Sequence, residues 1–250
     1  MYNIIITGAS SGLGASLATI YSGKDIRLFL TGRNQERLER VKKICQSLGA
    51  EVHIKYDLAI ENSNKVKEWI IEIAKDFKID LVIANAGISI NSEGKGYNEE
   101  SEKRIFDVNI NGVLNTIYPA IEIMKQQKKG QIAIIGSLAG YLGMPSCPAY
   151  SASKAMVRTY AEGLRGNLAK YGIKVNIVTP GYIKTPMTDK NDFFMPLLMD
   201  SIKAAKIIKK GIEKNKSRIV FPKILYYIIY ILNVMPSIIR EKILYKLPKK

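Results

Sequence analysis

The sequence contains a single histidine, His53, and only two cysteines, Cys45 and Cys147, in 250 residues. With one histidine, a His-based metal site or a Ser-His-Asp triad would have to use His53 itself. We therefore expect no metal site. The cysteines lie far apart and form no CxxC motif, which favours inert packing residues in a reducing, cytoplasmic compartment. His53 falls in the strand-like run EVHIKY, and we expect it to be structural.

Acidic residues are also scarce, since 22 Asp and Glu oppose 38 Lys and Arg, for a net charge of +16. Most of the excess is C-terminal: from residue 201 onward, 11 Lys and 2 Arg against Glu213 and Glu241 give +11. Apolar residues make up 47% of the chain, enough for the core of one α/β domain without disulfides or metals. The opening run YNIIIT already resembles a buried strand, so no secretory signal is expected before it.

Short β-branched runs alternate with longer helical patterns along the chain. We predict strands near 2–7, 26–31, 51–56, 80–84, 131–136, 173–179 and 217–221. This alternation predicts a Rossmann-type, doubly wound, seven-stranded parallel sheet in a single α/β domain, with ligands beyond the carboxyl ends of the strands. The domain is expected over 1–221, followed by a basic, apolar helical extension over 222–250.

A glycine-rich turn, TGASSGLG, follows the first predicted strand and precedes a helical pattern. Glycine permits close approach of backbone amides and a helix N-terminus to a pyrophosphate, so the turn predicts a nucleotide site. Its spacing is GxxxGxG, and a plain strand-to-helix turn is the alternative. The candidate contacts are Gly8, Ser10, Ser11, Gly12, Leu13 and Gly14.

The second predicted strand ends in Gly32-Arg33. An NAD-selective site places Asp or Glu at this strand end, whereas a guanidinium suits the 2′-phosphate of NADP(H). The sequence therefore favours NADP(H), with NAD(H) possible, and Asn34 is a further candidate for the ribose. A solvated Arg33 is the alternative.

Three polar side chains form a candidate catalytic group. Tyr150 and Lys154 are four residues apart in a helical pattern and so share a face. An adjacent ammonium favours the phenolate and is expected to lower the pKa of Tyr150 toward neutrality. Ser137 closes the strand QIAIIG, where its hydroxyl can reach a substrate carbonyl.

Asn109 interrupts a helical apolar stripe that includes Phe106, Val113, Ile117, Ala120 and Met124. A buried amide needs partners, so Asn109 either holds a water or bonds the backbone. On this residue alone, the backbone bond is the favoured interpretation.

These motifs together resemble the short-chain dehydrogenases/reductases over about residues 2–190. The resemblance rests on TGASSGLG, Asp57-Leu58, Asn85-Ala86-Gly87, Asn109, Ser137, Tyr150, Lys154, Pro180-Gly181 and Thr185. It implies a tetrad in which Tyr150 is the acid/base, Ser137 holds the carbonyl oxygen, Lys154 binds the nicotinamide ribose and Asn109 holds a water. It also implies coenzyme contacts from the glycine-rich turn and from Asp57, Leu58, Asn85, Ala86, Gly87, Pro180, Gly181, Ile183 and Thr185.

The segment after Pro180-Gly181 corresponds to the family's substrate lid and is rich in Met, Phe and Leu from Met187 to Met199. Such residues adapt to long apolar ligands, which favours a lipophilic substrate such as a 3-oxoacyl or long-chain keto compound. Tyr141, Leu142 and Met144 are candidates for the opposite wall. The alternative is that the apolar lid residues pack the lid onto the body.

The C-terminal extension begins with ILYYIIYIL at Ile224–Leu232, which is shorter than the roughly 20 residues that span a bilayer. A cationic amphipathic pattern follows over Ser237–Leu247. These features favour either peripheral contact with the inner face of a membrane or a subunit interface in a homo-oligomer. No nucleic-acid-reading motif is present, so nucleic-acid binding is not expected.

We therefore expect an NADPH-dependent oxidoreductase that interconverts a carbonyl and an alcohol. A non-catalytic NADP(H)-binding regulator or membrane-associated scaffold is the alternative.

Overall fold

A computed structural model describes residues 1–89 and 98–245. Its centre is one seven-stranded sheet in the order β3-β2-β1-β4-β5-β6-β7, in which every pair is parallel. The strands are β1 (Tyr2–Thr7), β2 (Ile26–Gly32), β3 (Glu51–Tyr56), β4 (Leu81–Ala84), β5 (Gly130–Ile135), β6 (Ile173–Pro180) and β7 (Arg218–Phe221). The predicted strands are confirmed to within one residue at each end.

Helices cover both faces of the sheet, which confirms the predicted doubly wound class. The helices are α1 (Gly12–Tyr21), α2 (Gln35–Ser47), α3 (Ser63–Asp76), α4 (Glu99–Phe106), α5 (Gly112–Gln127), α6 (Pro148–Leu168), α7 (Ser201–Glu213), α8 (Lys223–Val234) and α9 (Ser237–Leu244). Of these, α1, α2 and α7 contribute to the core on one face of the sheet, and α3, α5 and α6 contribute to the core on the other. A π-helical turn, Asp107–Asn111, joins α4 to α5, and a 3₁₀ turn, Leu138–Tyr141, follows β5.

Successive side chains of β1 point to opposite faces of the sheet, so this one strand contributes to two hydrophobic cores. Ile4 and Ile6 belong to the cluster with Leu17 of α1, whereas Ile5 belongs to the cluster with Val157 of α6. Successive strand residues point to opposite faces, so a wholly apolar run is the pattern of a strand covered on both sides.

The sheet positions the site through its change of direction at β1. This strand pairs with β2 on one side and with β4 on the other, so the sheet grows in one direction through β2 and β3 and in the opposite direction from β4 onward. A crevice forms at the carboxyl ends of the strands at such a switch point, where Thr7 and Ala84 end β1 and β4.

Two details of the predicted helices are wrong or incomplete. Phe106 is 36% exposed and does not belong to the buried stripe, because the π turn rotates α4 relative to α5. Val113, Ile117, Ala120 and Met124 of that stripe are buried. Lys246 and Leu247, which the pattern assigned to the last helix, lie outside the described residues.

No helix within residues 1–89 and 98–245 combines the length and the apolarity needed to cross a bilayer. Cys45 is buried, and burial raises the pKa of its thiol. His53 lies on β3, where its ring stacks on Phe29 with 5.0 Å between centroids. Cys45 is therefore a packing residue on α2, whereas His53 is an exposed residue of β3 that also contacts the Glu51 carboxylate at 2.7 Å.

Candidate active site

A cleft of about 250 Å³ opens at the carboxyl ends of the strands, where the switch point predicts it. Most of the predicted site residues line it: Gly8, Ser10, Ser11, Gly12, Leu13, Gly14, Arg33, Leu58, Asn85, Ala86, Gly87, Ser137, Tyr150, Lys154, Pro180, Gly181, Ile183 and Thr185. Three predicted residues, Asn34, Asp57 and Asn109, are not part of this lining.

The glycine-rich turn is shaped by positions that exclude a side chain. Gly8 and Gly12 have φ values of +69° and +54°, in the left-handed region that favours glycine. A Cβ on Gly14 would overlap the Gly8 carbonyl oxygen and would lie 2.6 Å from Nδ2 of Asn85. The turn therefore folds back tightly and brings the N-terminus of α1 to the cleft, an arrangement that fits a diphosphate.

Buried hydrogen bonds fasten this turn to the end of β4. The Thr7 hydroxyl accepts from the backbone N–H groups of Asn85 and Ala86, each at 3.1 Å. In return, Nδ2 of Asn85 donates to the carbonyl oxygens of Thr7 at 3.0 Å and Gly8 at 3.2 Å. These bonds make the two neighbouring strand ends a single rigid floor.

At the end of β2, Gly32 and Arg33 both line the cleft. A Cβ on Gly32 would lie 2.7 Å from Cβ and 2.8 Å from Oγ of Ser10, so a carboxylate side chain at position 32 has no room. The Asn34 side chain instead accepts from the N–H of Arg37 at 2.8 Å and caps α2. The end of β2 therefore supplies the Arg33 guanidinium, and no carboxylate, beside Ser10.

Tyr150 and Lys154 lie on the first turns of α6, and Ser137 lies two residues after β5, where its side chain interacts with the Tyr150 phenol. Burial raises the pKa of Tyr150 to about 12, while the side-chain interaction with Ser137 lowers it. Nζ of Lys154 lies 5.7 Å from the centre of the Tyr150 ring and donates to the carbonyl oxygen of Ile135 at 2.9 Å. Lys154 is only 4% exposed, and burial lowers its pKa to about 8.

The expected net lowering of the Tyr150 pKa by Lys154 is therefore wrong for this arrangement. Desolvation of the phenol outweighs the favourable interaction, which comes from Ser137. The ammonium is itself desolvated and is satisfied by Ile135. The sequence shows that the Tyr150 and Lys154 side chains share a helix face. How far burial shifts their pKa values depends on the strands that cover them.

Asn109 is fully buried on the π turn and bonds both backbone groups of Ile88. Its Oδ1 accepts from the Ile88 N–H at 2.8 Å, and its Nδ2 donates to the Ile88 carbonyl at 2.9 Å. Nδ2 also donates to Oγ of Ser153 at 3.1 Å, and this hydroxyl donates to the Tyr150 carbonyl at 2.8 Å. The amide thus links the segment after β4 to the helix turn that carries Tyr150.

Gly87 separates the Asn109 amide from Lys154. A Cβ at position 87 would lie 3.2 Å from Oδ1 of Asn109 and 3.4 Å from Nζ of Lys154. The floor of the cleft is therefore polar and close-packed, and a side chain at position 87 would require Asn109 to shift by a few tenths of an ångström.

Sequence reasoning missed part of the cleft. Gly32 and Met187, which the sequence placed beside the coenzyme and in the lid, also line it, but nine further lining residues were not predicted: Thr31, Ile60, Glu61, Ile88, Val108, Ile135, Gly136, Pro186 and Thr188. Most of them are apolar or backbone contributors from strand ends, which carry no motif of their own. Asp57, which was predicted, is exposed with a φ of +56°.

Comparisons with known proteins agree with this geometry. The family described as short chain dehydrogenase matches residues 2–193. An uncharacterized oxidoreductase of Myxococcus xanthus (strain DK1622) is 34% identical over 219 residues, covering 87% of this chain and 86% of the relative. An uncharacterized oxidoreductase of Staphylococcus saprophyticus is 33% identical over 190 residues, covering 76% of this chain and 81% of the relative.

Solved structures share the fold. A short-chain dehydrogenase from Sphingobium yanoikuyae in complex with NADPH has a TM-score of 0.82 at 22% identity, covering 99% of this chain and 97% of that chain. A short chain dehydrogenase/reductase from Burkholderia phymatum in complex with NAD has a TM-score of 0.80 at 21% identity, covering 92% of both chains. At these identities the likeness concerns the fold.

The family match extends from the first strand to the lid, and every residue that lines the cleft falls inside it. The chain therefore belongs to the short-chain dehydrogenase family and is an oxidoreductase.

Proposed function

We propose that this oxidoreductase transfers hydride between NADP(H) and the carbonyl/alcohol pair of an apolar substrate, with Tyr150 as the proton carrier. The observation that carries the proposal is that Tyr150, Ser137 and Lys154 line the same cleft as the glycine-rich turn. When bound, the nicotinamide supplies or accepts the hydride at the substrate carbon. The protein has to bind the substrate, orient it and move one proton.

The roles follow from the chemistry of each side chain. In reduction, the Tyr150 phenol donates its proton to the substrate oxygen as negative charge develops there, and in oxidation the phenolate accepts it. The Ser137 hydroxyl donates a hydrogen bond to the same oxygen. Lys154 binds coenzyme hydroxyls, while Asn109 positions the Ile88 segment through its two backbone bonds.

Coenzyme preference for NADPH is supported by Arg33 and by the lack of space for an acidic side chain at position 32. A neighbour of the same fold was solved with NADPH and another with NAD, so both coenzymes are compatible with this architecture. Arg33→Ala is expected to raise the KM for NADPH by about tenfold or more, because a charge-assisted contact with the 2′-phosphate is lost. The KM for NADH serves as the internal control, and an equal rise for both coenzymes would contradict the assignment.

An apolar substrate is supported by the lid. Met187 lines the cleft, and Phe193 packs against Tyr182 with 6.1 Å between ring centres. Phe194 is 84% exposed and Leu197 is 50% exposed, so part of the lid's apolar surface is not used to pack it onto the body. Long-chain keto compounds and 3-oxoacyl thioesters are the compounds that we expect to be turned over.

The decisive experiment measures NADPH oxidation with a panel of carbonyl compounds that differ in chain length. Tyr150→Phe is expected to lower kcat/KM by about a hundredfold or more while NADPH still binds, since general acid–base catalysis contributes factors of this size. Tyr160→Phe is the matched control, because Tyr160 lies on the same helix and contacts Tyr118 away from the cleft. Equal turnover by the two variants would refute the role of Tyr150.

A further inference from the structure

The two C-terminal helices expose a continuous set of large apolar side chains. We propose that this C-terminal apolar surface docks on an anionic lipid bilayer and holds the mouth of the cleft at the membrane. Its members are between 36% and 72% exposed: Ile224, Tyr227, Ile228, Tyr230, Ile231, Val234, Ile238, Ile239, Ile243 and Tyr245.

The composition of α8 is unlike that of a helix that faces water. It has no fully buried residue, and no charged side chain occurs between Ile224 and Val234. By contrast, α2 presents glutamates, arginines and lysines around a narrow buried stripe. Single exposed apolar residues are ordinary on protein surfaces, but nine within two short helices, with Tyr245 directly after the second, mark a binding face.

The length of α8 and the placement of its tyrosines favour a position in the membrane interface. The helix has 12 residues, whereas about 20 are needed to cross the hydrocarbon core. Tyr227, Tyr230 and Tyr245 combine an apolar ring with a polar tip, the side-chain type that concentrates at the boundary between lipid and water. The helix is therefore suited to lie in the plane of the interface.

Charge identifies the partner as anionic lipid and argues against a second copy of the chain. Residues 222–250 contain five lysines and Arg240 against Glu241, a net charge of +5. Basic residues beside an apolar face are attracted by the negative surface of an anionic membrane. A twofold dimer through the same surface would instead bring the two positive regions together.

The surface is joined directly to the walls of the cleft. The Tyr226 ring lies 5.2 Å from the ring of Tyr141, which does not itself line the cleft but lies in the turn that follows the lining residue Ser137. On the same side of α8, Cδ2 of Leu225 would lie 3.2 Å from a Cβ on Gly181, which lines the cleft. A bilayer against the opposite side of α8 is thus separated from these walls by about one helix diameter, roughly 10 Å.

This placement gives an apolar carbonyl compound a short path from the bilayer to Tyr150, and this consequence rests on the proposed function. The docking itself depends only on the exposed side chains and charges.

Co-sedimentation of the full chain with vesicles tests the proposal. The protein is expected to sediment with vesicles of phosphatidylcholine mixed with phosphatidylglycerol, and far less with pure phosphatidylcholine. The double variant Ile228→Glu/Ile231→Glu is expected to weaken binding by at least about tenfold, since two inserted apolar side chains become charged. Both positions are about half exposed, so the native fold tolerates the change.

Two control pairs make the result specific. Ile44→Glu/Ile71→Glu replaces exposed isoleucines on α2 and α3, and it is expected to leave vesicle binding unchanged. Lys223→Gln/Lys242→Gln is expected to weaken binding to anionic vesicles, whereas the same change at Lys67 and Lys75 of α3 has little effect.

The outcomes separate the proposals. Absence of vesicle binding by the wild type, or equal binding by Ile228→Glu/Ile231→Glu, overturns the docking surface. A dimer that this variant dissociates, without vesicle binding by the wild type, overturns it in favour of a second copy. Turnover of a water-soluble carbonyl compound is measured in parallel: its persistence in Tyr150→Phe refutes the proposed function, while vesicle binding by that variant still supports the surface.

Discussion

Replacement of Asn109 by alanine tests whether its amide acts as a structural clamp at the floor of the cleft. The change removes the partners of both the N–H and the carbonyl of Ile88, together with the bond to Ser153. A buried backbone group left without a partner costs about 1–3 kcal/mol. Because Ile88 is only half-buried and water can enter the space, we expect a loss of about 2–4 kcal/mol for the two groups together.

Urea denaturation followed by circular dichroism measures this loss, with a constant m-value as the check that only stability has changed. Asn115→Ala is the matched control, because Asn115 also donates to backbone carbonyls, those of Ile60 and Glu61, but from a half-buried position on α5. That variant is expected to lose less than about 1 kcal/mol. Equal losses in the two variants would refute the clamp.

Three further outcomes are expected. Burial lowers the pKa of Lys154 to about 8, below the unfolded value of about 10.4. Between these two pH values the unfolded state binds more protons than the folded state, so the free energy of unfolding rises with pH. Relative to Lys154→Met, the wild type should gain about 2 kcal/mol between neutral pH and about pH 9.5 in urea titrations, and a flat difference would contradict the burial of the charge. Gly14→Ala should abolish NADPH binding measured by fluorescence titration, because the new Cβ overlaps the Gly8 carbonyl oxygen. Gly163→Ala, in the interior of α6 with nothing near its new Cβ, should instead bind NADPH normally and gain about 0.4–1 kcal/mol of stability.

The sequence predicts the sheet well because a strand that is covered on both faces consists of a short run of apolar residues. Ile4, Ile5 and Ile6 are all fully buried, as such a run requires. The glycine-rich turn and the Tyr150/Lys154 spacing are equally local, since each depends on neighbours within one turn. These features account for most of the cleft.

The features of the site that the sequence does not predict depend on contacts between residues distant in sequence. Asn109 finds its partners at Ile88, 21 positions earlier, and at Ser153, 44 positions later, and no local pattern indicates either. The π turn that carries Asn109 also rotates Phe106 out of the buried stripe, which a constant helical period cannot anticipate. The pKa of Tyr150 departs from expectation for the same reason, because burial is a property of the packed fold.

Polar side chains at this site have two different relations to the fold. The Thr7 hydroxyl and the Asn85 amide form their hydrogen bonds with backbone groups at the strand ends. Substitution of either side chain therefore leaves buried backbone groups unpaired. Tyr150 and Ser137 line the cleft, where we propose that a substrate oxygen meets their hydroxyls, and the Ser137 oxygen also accepts from the Ala139 N–H at 3.1 Å. The proposed roles thus separate the groups that stabilise the fold from the groups that act in turnover. A substitution that lowers one property without the other identifies the set to which its residue belongs.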